Sequence, residues 1–243
     1  HVQVRHSADD CFEFFGGTVD AHHLICQGTG DDAFDWDNGY QGRLQFLVAV
    51  FDPREPSVGG NGMEGDNDAR GSVFSPVSRP VIYNATLCGT QRGEQHEHYG
   101  ILARRSTQGL FANGLIGGFT AGVDLRGSNL GFVMLSTQFM GSPAMPIAMP
   151  ESSAETHVEL QDDDHGFDEI AWFQLPGRHN RVKDAGLDCG FLRGVAPKPA
   201  QAIAEFDIVP PRDGFFDTAA RYRGAFRDAS DDWDRGWAVW SAP

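Results

Sequence analysis

Hydrophobic and acidic residues alternate in two short stretches near the start of the chain, and the two stretches almost repeat each other. The segment "DDCFEFF" at residues 9–15 aligns with "DDAFDWD" at residues 31–37, so that Phe12 matches Phe34 and Phe14 matches Trp36 (34 − 12 = 22). Alternation with a period of two is typical of a β-strand that turns its aromatic side chains to one face and its carboxylates to the other. The pattern therefore predicts a short strand that recurs once per repeat.

Weaker copies of the same stretch continue along the chain, at "NGMEGDND" from Asn61, "YGILARRS" from Tyr99 and "AGVDLRGS" from Ala121. Several copies are followed by a more apolar strand, such as "GRLQFLVAVF" and "PVIYNATLCG", and the extra length between copies lies in polar segments predicted to be loops. Tandem strand-rich units of about this period are typical of solenoids. The predicted fold class is all-β, a right-handed parallel β-helix, with an antiparallel β-sandwich as the alternative.

Three regions follow from this repeat. Residues 1–140 are predicted to form β-helix coils, residues 141–212 an irregular or inserted segment that continues the solenoid, and residues 213–243 an aromatic C-terminal cap on the last coil. Val2 aligns with Leu24, so the first residues fall inside a coil. We therefore expect that coils of a longer precursor precede residue 1.

The amino-acid composition limits which classes of partner the protein can bind, and it says less about the fold. The 243 residues carry a formal net charge of −15, which disfavours nucleic acid and anionic membranes and favours cations or neutral and basic ligands. No apolar run approaches the roughly 20 residues of a membrane-spanning helix. The four cysteines lack metal-site spacing and permit disulfides, with buried thiols as the alternative. The acidic, lysine-poor composition favours an extracellular or cell-surface protein.

Equivalent side chains of successive coils in a parallel β-helix lie about 4.8 Å apart. The repeat therefore predicts two files of outward side chains. One contains Glu13, Asp35, Glu64, Leu102 and Asp124, and the other contains Phe15, Asp37, Asp66, Arg104 and Arg126. Carboxylates so close raise each other's pKa unless a cation or an arginine lies between them.

Calcium suits such a surface because Ca²⁺ takes six to eight oxygen ligands. The predicted metal ligands are Asp35, Asp37, Glu64, Asp66 and Asp68, and the predicted ligand-binding residues are Glu13, Asp35, Asp37, Glu64 and Asp66. A solvated acidic face without a ligand is the alternative. The aspartates that precede the strands, Asp9, Asp10, Asp31 and Asp32, are expected to accept bonds from nearby backbone amides in turns.

Other candidate sites have weaker patterns. His96 with His98, and His22 with His23, each supply half of a metal site, and His1 offers an amine and a ring to copper. The segment "NAT" at 84–86 is an N-glycosylation sequon. Motifs of nucleophilic, zinc-protease and nucleotide-binding enzymes are absent from the sequence.

Longer segments of the chain are similar to those of a known family. "DDCFEFFGGTV", "DDAFDWDNGYQGRLQF", "GMEGDND" and "YRGAFRDASDDWDRGWAVW" resemble a family of secreted bacterial right-handed β-helix proteins, some of them labelled lipoproteins. The likeness covers most of residues 1–130 and 213–240. It implies the fold and export from the cell, and it supplies no catalytic residue.

Three functional hypotheses follow. The first is a secreted or surface protein that binds an extracellular glycan or a similar small ligand, with structural calcium. The second is a calcium-dependent polysaccharide lyase, with Asp37, Glu64 and Asp66 on calcium and Arg104 or Arg126 as base, or a glycoside hydrolase with paired carboxylates. The third is a purely structural stalk or adhesin segment.

Overall fold

Parallel strands make up nearly all of the regular structure. The computed structural model describes residues 1–54, 60–68, 70, 75–90, 99–119, 121–126, 131–140, 167–189, 193–204 and 208–240. The strands are β1 Val2–Ser7, β2 Phe12–Phe15, β3 Ala21–Thr29, β4 Phe34–Asp37, β5 Arg43–Val50, β6 Met63–Gly65, β7 Val81–Cys88, β8 Tyr99–Ala103, β9 Gly109–Ala112, β10 Leu115–Gly117, β11 Ala121–Leu125, β12 Phe132–Leu135, β13 Gln138–Met140 and β14 Arg181–Val182. One short helix, α1, spans Glu169–Phe173.

Two sheets contain these strands. The smaller sheet has the order β11-β8-β6-β4-β2, and the larger has the order β1-β3-β5-β7-β10-β13-β14, with β9 joined to both β7 and β12. Each strand pairs in parallel with the equivalent strand of the next repeat. The prediction of an all-β parallel fold is confirmed, and the antiparallel sandwich is wrong for the described strands.

The repeat sets the register of these pairs. Phe12 pairs with Phe34 and Val2 pairs with Leu24, each at the predicted offset. Asp35 pairs with Glu64 although the segment between β5 and β6 makes that coil longer. The longer coils therefore keep the same stacking as the short ones.

The inward side chains of both sheets form one core. Phe34, Trp36 and Met63 from the smaller sheet pack in the same cluster as Leu47 and Ile116 from the larger sheet. Trp36 is fully buried, and its indole nitrogen donates to Thr107 Oγ1 at 2.9 Å. Gly65 pairs with Trp36, and a Cβ on Gly65 would lie 2.1 Å from Trp36 Cζ2. Glycine at 65 thus leaves the space that the tryptophan ring fills.

A file of left-handed residues bends the larger sheet. We call it the bend column; its members share a φ between 47° and 60° and are His23, Phe46, Asn84, Asn113, Ser136 and His179. Strand register places each member beside the next, because the pairs on either side of them run in step. Four residue types, none of them glycine, occupy these six positions, so the bend belongs to the stacked fold rather than to glycine.

A ladder of side chains joins successive turns before the strands of the smaller sheet. Asp10 Oδ1 accepts from the amide of Asp32 at 2.9 Å, Asp32 Oδ1 accepts from the amide of Asn61 at 2.6 Å, and Asn61 Oδ1 accepts from the amide of Tyr99 at 2.9 Å. We call Asp10, Asp32 and Asn61 the turn ladder. The expectation of turn aspartates bonded to backbone amides is confirmed for Asp10 and Asp32, with each bond made to the next coil.

All four cysteines form disulfides. Cys11 is bonded to Cys26 across 15 residues, and Cys88 is bonded to Cys189 across 101 residues. The alternative of buried free thiols is therefore wrong. The second bridge ties β7 to the chain that follows β14.

The C-terminal segment, residues 208–240, does not lie where the sequence predicted it. Asn113 Nδ2 donates to Ile208 O at 2.8 Å, and Asn84 Nδ2 donates to Tyr222 O at 2.7 Å. Further on, Gln3 in β1 exchanges hydrogen bonds with the backbone of Val239. The segment thus runs along the bend column from the later coils back to the first coil. A cap confined to the last coil is wrong, because Asn113, Asn84 and Gln3 hold the segment at successive coils as far as the first.

Two predicted features have further outcomes. Asn84 of the sequon is fully buried and bonded to the C-terminal segment, so a glycan at this position is incompatible with the packing.

His96, His98 and residues 141–166 lie outside the described residues. Within the described part of the chain, no helix has the length and apolar character needed to cross a bilayer.

Candidate acidic binding site

The smaller sheet carries the acidic file predicted from the repeat. Glu13 pairs with Asp35, Asp35 with Glu64, Glu64 with Leu102, and Leu102 with Asp124. The neighbouring file begins with the pair of Phe15 and Asp37, and the amide of Asp66 donates to Trp36 O at 2.8 Å in continuation of the same register. The predicted pairing within both files is confirmed, but Leu102 and Asp124 are buried, so the outward exposure predicted for the later end of the first file is wrong.

Arginines compensate the later end of these files. Arg104 contacts both Glu64 and Asp66, with 3.1 Å from its Nε to Asp66 Oδ1, and Arg105 Nη1 lies 2.5 Å from Asp66 Oδ2. Arg126 pairs with Asp124 at 2.7 Å. Burial disfavours the charge of Arg104, but Glu64 and Asp66 outweigh burial and raise its pKa. A raised pKa disfavours Arg104 as a catalytic base.

The earlier end of the acidic file has no such compensation at Asp35. Asp35 Oδ1 is buried and has no hydrogen-bond partner among the described residues. Oxygen atoms of Asp32, Asp35 and Glu64 lie within 4.8 Å of one another. We call these three residues the acidic triad; an unpaired buried carboxylate in such a group is unfavourable unless it gains a proton or a cation.

The pKa values of the triad reflect this environment. Burial and then the charge of Glu64 raise the pKa of Asp35 to about 8. Burial raises the pKa of Glu64 to about 7 even though Arg104 opposes the shift. Burial and then Glu64 also raise the pKa of Asp32. At neutral pH the triad therefore holds protons or requires a positive charge in addition to that of Arg104.

Two further acidic groups adjoin the triad. Oxygens of Asp10, Glu13 and Asp35 lie within 4.8 Å of one another, as do those of Asp9, Asp10 and Asp31. Burial, followed by the charges of Asp10 and Asp9, raises the pKa of Asp31 to about 6. The clustered carboxylates thus extend from the turns onto the exposed end of the acidic file at Glu13.

The structure brings together only part of the predicted metal set. Asp35 and Glu64 are in the triad, whereas Asp37, Asp66 and Asp68 belong to none of the acidic groups of three among the described residues. Asp37 and Asp68 accept bonds from the amides of Asn38 and Arg70. Asp32 was not predicted as a member of the site, although the Asp-Asp pair repeated ahead of β2 and β4 was a usable signal.

The donor set of the triad fits a hard cation. Carboxylate oxygens are the ligands that Ca²⁺ prefers, and Ca²⁺ accepts irregular geometry with water in the remaining positions. The orphaned oxygen of Asp35 offers one lone-pair donor that the described protein groups leave unused. The same carboxyl groups, if protonated, can instead donate protons.

Stacked parallel strands that carry an outward acidic file define a protein of the β-helix class. Residues 1–164 match the family model of the pectate-lyase like beta helix domain, and the chain belongs to this family. No curated protein and no solved structure matches the chain significantly.

Proposed function

We propose that this chain binds an extracellular glycan at the acidic file, through Ca²⁺ held by Asp32, Asp35 and Glu64. The observation that carries the proposal is the buried Oδ1 of Asp35, which has no hydrogen-bond partner in the described part of the chain, within the acidic triad. A cation there lowers the mutual repulsion of the three carboxylates, and its remaining coordination positions accept hydroxyl or carboxylate oxygens of a sugar.

Two other observations support the proposal. The family to which the chain belongs is described as pectate-lyase like, which favours a polysaccharide as the ligand. The two disulfides favour an extracellular or cell-surface location, because such bonds persist in oxidising compartments. We also expect the coils to close into a right-handed solenoid, because crossovers between parallel strands strongly prefer that hand.

The decisive experiment measures glycan binding with and without calcium. Isothermal titration of the protein with polygalacturonate and with a neutral β-glucan, each in CaCl₂ and in EDTA, is expected to show binding only in calcium. Asp35→Asn removes a triad carboxylate and is expected to abolish the calcium-dependent binding. Asp37→Asn is the matched control, because Asp37 lies two residues along the same strand and outside the triad. Equal binding in EDTA, or equal loss in both variants, contradicts the proposal.

Glycoside hydrolysis is a second candidate, favoured by the raised pKa of Asp35. A general acid must remain protonated near neutral pH, and Asp35 has a pKa of about 8. Oxygens of Asp35 and Glu64 lie within 4.8 Å of each other, which is compatible with the close carboxyl pair of retaining enzymes, about 5 Å apart, and not with the wider pair of inverting enzymes. Release of reducing ends from a polysaccharide by the wild-type protein, and its loss in Asp35→Asn, would favour this candidate over binding alone.

The remaining hypotheses differ from these in their products. A lyase would release unsaturated products that absorb in the ultraviolet, and the raised pKa of Arg104 provides no support for it as the base. A structural stalk or adhesin segment would show neither calcium-dependent glycan binding nor turnover in the same assays.

A further inference from the structure

Three histidine rings meet at the first coils of the larger sheet. His1 precedes β1, and His22 and His23 lie in β3. Ligand nitrogens of His1, His22 and His23 lie within 4.8 Å of one another, and we call these residues the histidine cluster. The rings of His1 and His23 are stacked with centroids 4.3 Å apart, and the ring of His22 stands edge-on to both. This cluster contains no carboxylate and is separate from the acidic triad in residues and in sheet.

The bend column explains why two consecutive residues contribute to one cluster. Side chains at adjacent positions of a regular strand point to opposite faces. His23 has a φ of 57°, which breaks the alternation, and His22 Nδ1 lies 2.7 Å from His23 Nδ1. The fold thus converts an adjacent pair of histidines into two converging nitrogen donors.

The surroundings hold the rings in place and leave room beside them. His23 packs against Phe46 and edge-on to Trp233 of the C-terminal segment, with centroids 4.7 and 4.8 Å apart. His1 packs edge-on to Trp237 at 5.2 Å. His22 and His23 also line a cavity of about 450 Å³ that lies between the bend column and the C-terminal segment. Rings fixed by aromatic neighbours lose little freedom when they bind an ion.

We propose that His1, His22 and His23 form a binding site for a divalent transition-metal ion of the class that prefers imidazole, Cu²⁺ or Zn²⁺. Imidazole nitrogens suit these ions, and three protein ligands leave at least one position for water or for a molecule in the cavity. The proposal uses the three rings only and does not depend on a free amine at His1.

The nitrogen geometry favours copper over zinc. At a metal–nitrogen distance of about 2.0 Å, ligands 2.7 Å apart subtend an angle of about 80° to 85°, close to the right angle of a tetragonal site and well below that of a tetrahedron. In the metal-free protein the same 2.7 Å contact is a hydrogen bond between the two ring nitrogens.

The test is calorimetric titration of the whole chain with CuCl₂ and with ZnCl₂ at pH 7. The protein is purified without a histidine tag, and two residues are added before His1 so that the terminal amine cannot chelate. We expect one ion per chain and tighter binding of copper, as the Irving–Williams order and the nitrogen spacing both require. Electron paramagnetic resonance of the copper form is expected to show coupling to nitrogen.

Matched variants locate the site. His23→Asn and His179→Asn make the same change at left-handed positions of the bend column, and asparagine tolerates that conformation. We expect His23→Asn to weaken copper binding by about tenfold or more and His179→Asn to leave it within about twofold. His22→Asn, at an exposed ring, is expected to match His23→Asn and decides the matter if His23→Asn fails to fold.

The proposal is overturned if the extended protein binds no ion, or if binding is unchanged in both His22→Asn and His23→Asn. Nitrogen coupling that is absent from the copper spectrum also overturns it. These outcomes are independent of the acidic triad, because Asp35→Asn leaves the histidine cluster intact.

Discussion

Asp35 and Glu64 occupy paired positions on adjacent parallel strands, and Arg104 contacts Glu64 but is not among the contacts of Asp35. Calcium is therefore expected to raise the melting temperature of the protein, because it binds the folded triad and not the dispersed carboxylates of the unfolded chain. A rise of about 5 °C or more is expected at saturating CaCl₂, relative to EDTA, in a thermal scan at pH 7.5.

Two variants separate the triad from general charge effects. Asp35→Asn is expected to lose the calcium response, and in EDTA to melt no lower than the wild type, since it removes repulsion. Asp37→Asn makes the same side-chain substitution outside the triad and should keep the response. A calcium effect of the same size in Asp35→Asn would show that the ion binds elsewhere.

The free energy of unfolding of the calcium-free protein is expected to fall as pH rises from 6.5 to 8.5. The folded pKa values of Asp35 and Glu64, about 8 and about 7, lie above their unfolded values near 4. In this window the folded chain binds more protons than the unfolded chain, so raising the pH favours unfolding. His23 acts in the opposite direction, because its pKa is lowered from 6.5 to about 4, and its contribution fades above the lower edge of this window.

Melting temperatures in EDTA across this pH range check the expectation, with a fall of about 3 °C or more. Asp35→Asn should show a shallower slope, and calcium should flatten the slope of the wild type because it replaces the bound protons. A melting temperature that rises through this range would contradict the raised pKa values.

Gly65→Ala is expected to destabilise the core by about 1 to 3 kcal/mol, because the added methyl overlaps the ring of Trp36. Chemical denaturation gives the free energy of unfolding. A double-mutant cycle tests the cause: in a Trp36→Phe background, where the ring is smaller, Gly65→Ala should cost less. Equal costs in the two backgrounds would place the effect elsewhere.

Asn84→Asp is expected to loosen the C-terminal segment. The amide of Asn84 donates to Ala220 O and Tyr222 O, and a carboxylate cannot donate to either carbonyl. A buried charge that faces two carbonyl oxygens should cost about 2 kcal/mol or more. Limited proteolysis followed by mass spectrometry should show earlier cleavage within residues 208–240.

Asn84→Gly is the companion variant, because glycine keeps the left-handed backbone and removes only the side chain. It should be milder than Asn84→Asp in both assays. Protection of residues 208–240 that is unchanged in both variants would mean that Asn84 does not anchor the segment.

The repeat made the stacking predictable, because a fixed offset with alternating side chains specifies both the strand pairs and the outward files. Glu13, Asp35 and Glu64 were placed correctly for this reason. The bend column was not predictable, since Phe46 and Ser136 are not residues that favour a left-handed backbone, and stacking imposes it on them.

The pairing of arginines with the acidic files and the path of the C-terminal segment also could not be predicted from the sequence. Arg105 reaches Asp66 because a left-handed turn follows Arg104, and no periodic pattern marks that turn. Asn84 and Tyr222 meet across 138 residues without any shared repeat. Contacts of this kind depend on the assembled surface, which local alternation does not describe.

The turn ladder keeps the stacking of the coils the same, however many residues lie between successive members of the ladder. Its three bonds join residues separated by 22, 29 and 38 positions with nearly the same geometry. The free energy of closing a loop rises by only about 0.6 kcal/mol for each doubling of its length. Insertions between members of the ladder are therefore expected to destabilise the fold little. The fold therefore accommodates loops of different length between coils without a change in how the coils stack.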